Sequence, residues 1–131
     1  MPMPDLFLLF NHKLTAAQAD DARQELGVAG IVSPPDDVRR CWAAIPPEPE
    51  AIAPLLAPVF SWIDRAVPAG SFLLVQGDFG ACFLVVLHAA GRGITPVYST
   101  TRREAVEQHT DDSTVHLTHT FRHVRFRIYG R

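Results

Sequence analysis

The chain has few of the features that staple a fold, span a membrane or recruit a large polyanion. It has only two cysteines, Cys41 and Cys82. They share no close spacing, and each sits in an apolar or helical pattern. A disulfide framework and a CxxC metal motif are therefore excluded, and two buried free thiols are expected. The apolar run Leu6 to Phe10 is far shorter than the ~20 residues that cross a bilayer. No charged-then-apolar leader opens the chain. A cytoplasmic, reduced setting without a membrane partner is expected. Nor is there bulk basicity. The formal charge is −2, so nothing recruits long nucleic acid and any anion site must be local.

Several catalytic signatures are also missing. There is no GxGxxG or Walker pattern, no Gly-x-Ser-x-Gly elbow and no HExxH. Asp78-Phe79-Gly80 spells a kinase triplet, but the chain is too short and lacks the accompanying loops. His116, His119 and His123 have no carboxylate among them. On a strand, 116 and 119 point to opposite faces, so no metal site and no cofactor are expected.

What is present is ordinary globular composition, 47% hydrophobic and 20% charged over 131 residues. That length fits one domain, residues 1–131, burying roughly two-thirds of its unfolded surface. Leu6 to Phe10 and Phe72 to Val75 are apolar on both faces and read as strands buried from both sides. Thr15 with Gln18 forms a capping box for a helix to about Leu26, where Gly27 supplies a left-handed stop. Gly30-Ile31-Val32 is a short strand. Pro34-Pro35-Asp36-Asp37 opens a second helix. A third spans about Glu50 to Val67, with Pro54 and Pro58 confining its regular part to the later half. Ala81 to Ala90 is an apolar helix, and Ile94 to Tyr98 is a strand. Ser99-Thr100-Thr101 is read as capping a helix from about Arg102 to His109. Thr114 to Tyr129 is strand-like, and its parity switches near Arg122 and His123, which calls for a bulge or tight reversal. The predicted class is α/β: a Rossmann-like, mostly parallel sheet with helices on both faces and a C-terminal antiparallel strand or hairpin.

In such a sheet, ligands bind beyond the carboxyl ends of strands, near the point where strand order reverses. Three polar loops leave such ends: Asn11-His12-Lys13, Gln76-Gly77-Asp78-Phe79-Gly80 and Ser99-Thr100-Thr101-Arg102. Gly77 and Gly80 flank a helix start, where free N–H groups make an anion site. Asp78 repels phosphate and fits better as a cap or a partner for a sugar hydroxyl. Phe79 either stacks on a base or packs, and packing is the simpler expectation. Arg102 has the fork geometry that matches phosphate oxygens. His12 is titratable near neutral pH. Arg122, His123, Arg125 and Arg127 form a cationic stripe, by default a solvated edge.

Long stretches carry a resemblance: Leu8 to Thr15, Gln76 to Ala81, Val97 to Glu104, and Leu117 to Phe126. In these the chain resembles the small stand-alone CRISPR-associated proteins of type III systems, which are similar to CARF domains, the Rossmann-like sensors of cyclic oligoadenylates. The likeness covers nearly the whole chain, except the proline-rich segment from Pro34 to Pro58. It implies a homodimeric ring nuclease that cuts a cyclic oligoadenylate, most simply the tetra-adenylate, into linear di-adenylates with 2′,3′-cyclic phosphates, switching off antiviral effectors. No metal is required, because an in-line ribose 2′-hydroxyl is the nucleophile. Arg102, His12 and Ser99 are the expected catalytic group. Asn11, Gln76, Gly77, Asp78, Phe79, Gly80, Thr100, Thr101, His123 and Arg125 are the expected ligand contacts. Two alternatives remain at this point: a protein that sequesters the ring uncut, and a structural subunit with no ligand.

Overall fold

The computed structural model describes residues 3–109 and 114–131. Strand β1 (Leu6–Leu9) is followed by helix α1 (Ala16–Asp21), which continues as a π-helical turn through Ala22–Leu26. Thr15 and Gln18 make the full capping box, and Gly27 ends the unit at φ 68°. Strand β2 (Ile31–Val32) leads to α2 (Asp36–Ala43). A 3-10 turn at Ala53–Leu56 carries Pro54, and α3 (Ala57–Ala66) follows with Pro58 in its first turn. There the missing proline N–H costs nothing, because first-turn donors have no helical acceptor. Then come β3 (Phe72–Val75), α4 (Phe79–Ala90), β4 (Thr95–His109) and β5 (Val115–Ile128).

The five strands form one sheet in the order β2-β1-β3-β4-β5. The first four are mutually parallel, and β5 runs antiparallel to β4. Alternate residues serve opposite faces, as the two-residue period of a strand requires. Leu6, Leu8, Leu74 and Val97 pack with Ala22 and Val28 beneath α1. Phe7, Leu9, Leu73 and Val75 pack with residues of α2, α3 and α4 on the other side. Helices therefore cover both faces, as the apolar runs predicted. The connection from β1 goes to one neighbour and the next connection crosses to the other. The reversal of strand order thus lies between β1 and β3, where a crevice opens at the carboxyl ends.

The segment after Tyr98 departs from the sequence reading. No helix spans Arg102 to His109. Strand β4 instead continues through His109, paired with β5 along its length. The serine and threonines that looked like a cap serve another purpose. Thr100 Oγ1 donates to the Arg125 carbonyl (3.0 Å) and accepts from its N–H (3.2 Å). Residues 102–109 have helix-compatible side chains, but the fourteen-residue β5 needs a ladder partner, and cross-strand pairing overrides a weak local preference. The expected parity break is present. Thr100 pairs with Arg125 and Thr101 with His123, leaving Val124 as an unpaired bulge residue.

Both cysteines are free, as expected, but half-buried rather than fully enclosed. Among the described residues, no helix is long and apolar enough to cross a membrane. Tyr129 packs against the α4 side of the sheet, donating its hydroxyl to the Val75 carbonyl at 2.6 Å, with its ring centroid 4.8 Å from that of Tyr98 at a tilt of 58°. Burial, and next the neighbouring Cys82, push its phenol up to about 12. The folded-state value exceeds the unfolded one. The stability this phenol contributes is therefore complete below about pH 10 and is lost as pH rises towards 12. Urea unfolding midpoints should fall over that interval, and the fall should be shallower in Tyr129→Phe.

Candidate functional site

The carboxyl edge of β1 and β3 is shaped by one indole. Trp42 of α2 donates from Nε1 to the Gln76 carbonyl at 2.8 Å. A Cβ on Gly77 would sit 2.8 Å from that same Nε1. The glycine is thus required by Trp42, whereas the sequence reading had reserved the space for a ligand. Asp78 is the N-cap of α4, its Oδ2 accepting from the Ala81 N–H at 3.0 Å. The first turn of α4 is already served by an internal carboxylate, so the capping reading of Asp78 holds and an external phosphate gains less there. A Cβ on Gly80 would lie 3.4 Å from Ile52 Cδ1. Phe79 is 93% exposed, contrary to the packing expected of it.

Gln76 links this edge to the β4–β5 ribbon. Its Oε1 accepts from the Ser99 N–H at 2.7 Å. The Ser99 side chain lies on the α1 side of the sheet in a buried chain of hydrogen bonds. Gln18 Nε2 donates to Ser99 Oγ at 3.2 Å. Ser99 Oγ and His123 Nδ1 are 2.5 Å apart, and His123 Nε2 lies 2.7 Å from Asp21 Oδ2. The Asp21 carboxylate only accepts, so the Nε2–H donates to it, and Nδ1 of the neutral ring accepts from the Ser99 hydroxyl. The side chain of His123 is only 5% exposed and both its ring nitrogens are taken. This serine–histidine–aspartate order resembles a hydrolase relay, but Ser99 lines none of the cavities at this edge. Here it is a brace that fixes the bulge to α1. The spacing of Asp21 from His123, 102 residues apart, left no sequence signal that they meet.

Four hollows open around the edge. A cleft of about 170 Å³ is bounded by Asn11, His12, Gln76 and Gly77. It adjoins an apolar hollow of about 440 Å³ bounded by Gln76, Gly77, Phe79, Cys82, Tyr98 and Tyr129. On the α1 side, a cavity of about 520 Å³ brings His12 and Lys13 beside Thr101, Arg122 and His123. The largest, about 690 Å³, lies between the β1 end, the β2 end and α2. His12 lines three of the four, its ring 5.4 Å edge-on from Phe10, and among the described residues neither ring nitrogen has a hydrogen-bond partner.

Ladder register sorts the cationic residues. Directly paired residues share a face of an antiparallel ribbon. Tyr98 pairs with Arg127, Thr100 with Arg125 and Arg102 with Arg122. These alternate along β4, so by register the four arginines share the α4 face with Tyr98, while Thr101 and His123 serve the α1 face; Arg122 also borders the α1-side cavity. His123 therefore leaves the stripe in which the sequence placed it. Arg102 opposes Arg122 directly, a like-charge pair that is unfavourable by itself. Among the described residues its one carboxylate relief is Glu104, 3.6 Å from Arg122 on an exposed edge.

Together these features define an open α/β domain with a polar, cation-rimmed carboxyl edge and a long antiparallel arm. The chain belongs to the MJ1673 family: the family model described as "Uncharacterized protein MJ1673 family" matches residues 4–127. A curated relative, "Uncharacterized protein MJ1673" of Methanocaldococcus jannaschii, is 37% identical over 128 residues, covering 98% of each chain. No solved structure matches.

Removing the Asp21 carboxylate strands the buried Nε2–H of His123, which costs on the order of 1–3 kcal/mol. Asp21→Ala should lower the chemical-denaturation midpoint accordingly. The neighbouring exposed Asp20→Ala should leave it unchanged.

Proposed function

We propose that the protein binds a cyclic oligoadenylate across its carboxyl edge and cleaves it as a metal-independent ring nuclease. The observation that carries this reading is the face shared by Arg102, Arg122, Arg125 and Arg127, the same side of the sheet as Tyr98, which lines a hollow rimmed by the exposed Phe79. A row of guanidinium groups matches successive phosphates, and an exposed aromatic ring offers a base a stacking surface. The Arg102–Arg122 pair, relieved only by Glu104 among the described residues, is the kind of charge arrangement that an anion between them stabilises. The sequence resemblance supplies the identity of the ring, most simply the tetra-adenylate. It also supplies the setting, type III CRISPR antiviral signalling in the cytoplasm.

In the proposed reaction a ribose 2′-hydroxyl attacks its adjacent phosphorus. The new O2′–P bond forms as the P–O5′ bond breaks, leaving a 2′,3′-cyclic phosphate and a free 5′-hydroxyl. His12 takes the hydroxyl proton, and solvent protonates the leaving oxygen. Arg102 stabilises the charge on the crowded phosphoryl group, and Gln76 and Asn11, which line the cleft with His12, supply polar contacts. Ser99 acts through Gln76 and His123 and does not touch the ligand. Sequestration without cleavage is the competing reading, because it uses the same arginine row.

A second copy completes the assembly in this proposal. The outer part of the β4–β5 arm leaves Val106, Val115, Leu117 and Phe121 exposed, and α4 leaves Phe79, Phe83 and Leu87 exposed at four-residue spacing. A two-stranded ribbon is marginal by itself, and apolar surface on this scale marks an interaction site. Sedimentation equilibrium should give twice the chain mass, and Phe83→Glu with Leu87→Glu should give the single mass.

Incubation with cyclic tetra-adenylate in EDTA, followed by chromatography, tests the activity. Linear di-adenylate should accumulate beyond one equivalent. Arg102→Ala should slow turnover at least tenfold and His12→Ala about a hundredfold. Binding with an intact ring would establish sequestration instead, and absence of binding would exclude both readings.

A further inference from the structure

The β1–α1 loop has a second side. The cavity of about 690 Å³ lies against it on the β2 side, and none of Arg102, Arg122, Arg125 and Arg127 lines it. Its floor is apolar, made by Leu8, which is buried on the α1 face, together with Ile31 and Leu14. Its rim carries Lys13 from the loop, Arg40 from α2 and the Ser33 hydroxyl at the end of β2. A third cation, Arg39, is neutralised by Asp36 at 2.6 Å, and that carboxylate does not line the cavity. Among the described residues, Lys13 and Arg40 have no carboxylate partner. Two cations without a counter-ion at the rim of an apolar floor match a molecule that is flat and weakly polar at one end and anionic at the other. The volume lies within the range of small-ligand sites.

We infer that this cavity is a nucleotide site, with the base over Leu8 and Ile31 and a phosphate between Lys13 and Arg40. The inference goes beyond the ring-nuclease reading and depends on it only for the choice of adenine. A free mononucleotide and one nucleotide unit of a larger phosphodiester present the same chemistry here. His12 lines both this cavity and the cleft at Gln76. A nucleotide bound here would therefore sit one loop away from the proposed cleavage point.

Methyl-labelled protein titrated with AMP, adenosine and inorganic phosphate tests the site by NMR. AMP should shift the Ile31 and Leu14 methyl signals saturably and more tightly than either fragment. Arg40→Ala should weaken AMP at least tenfold. The exposed Arg65→Ala, whose guanidinium contacts Ser61 on α3, should leave it unchanged. Absence of shifts at Ile31, or equal affinity in Arg40→Ala, would overturn the site. Cleavage of cyclic tetra-adenylate is followed in parallel. AMP shifts without cleavage would keep this site and remove the nuclease reading, and cleavage without shifts would do the reverse. Displacement of AMP by the ring would support a subsite of the ring, whereas simultaneous binding would support a separate site for a free nucleotide.

Discussion

The carboxyl edge depends on a buried hydrogen-bond chain from Gln18 through Ser99 and His123 to Asp21. Its members come from α1, β4 and β5, and Ser99 extends it through its backbone N–H to Gln76 at the end of β3. Each buried polar atom in it finds a partner, which is the condition for a polar network to rigidify a core. It holds the bulge at Val124 in place, and the bulge decides which face each later residue of β5 occupies. Without it His123 would share a face with Arg125 and Arg127.

That separation changes the meaning of the candidate residues. In sequence, Arg122, His123 and Arg125 are neighbours in one cationic stripe. In the fold, the arginines line the α4 face with Arg102, and His123 is enclosed beneath α1. His12 lies on a loop that borders three hollows, and among the described residues its ring nitrogens have no hydrogen-bond partner. Ser99, expected among the catalytic residues, is bound into the buried hydrogen-bond chain instead. Glycine follows the same pattern: Gly77 is small because Trp42 lies against it.

The elements that were legible in the sequence are those set by local physics. The doubly apolar runs at Leu6 to Phe10 and Phe72 to Val75 became central parallel strands, and the Thr15–Gln18 box and Gly27 bounded α1. The parity break near His123 announced the bulge within a residue or two. The segment from Ser99 to His109 was misread because hydroxyl residues suit a helix cap and a β-ladder equally well. Only the presence of β5 alongside it chooses.

The sequence by itself determined the class of the protein. Alternation, capping and apolar runs are short-range signals, and they specify an α/β sheet whose polar loops gather at one edge. The tertiary structure decided what that edge consists of. Strand order, the register of β4 with β5 and the meeting of Asp21 with His123 are pairings across long separations. No local pattern encodes them, because their energy exists only once the partners are packed together.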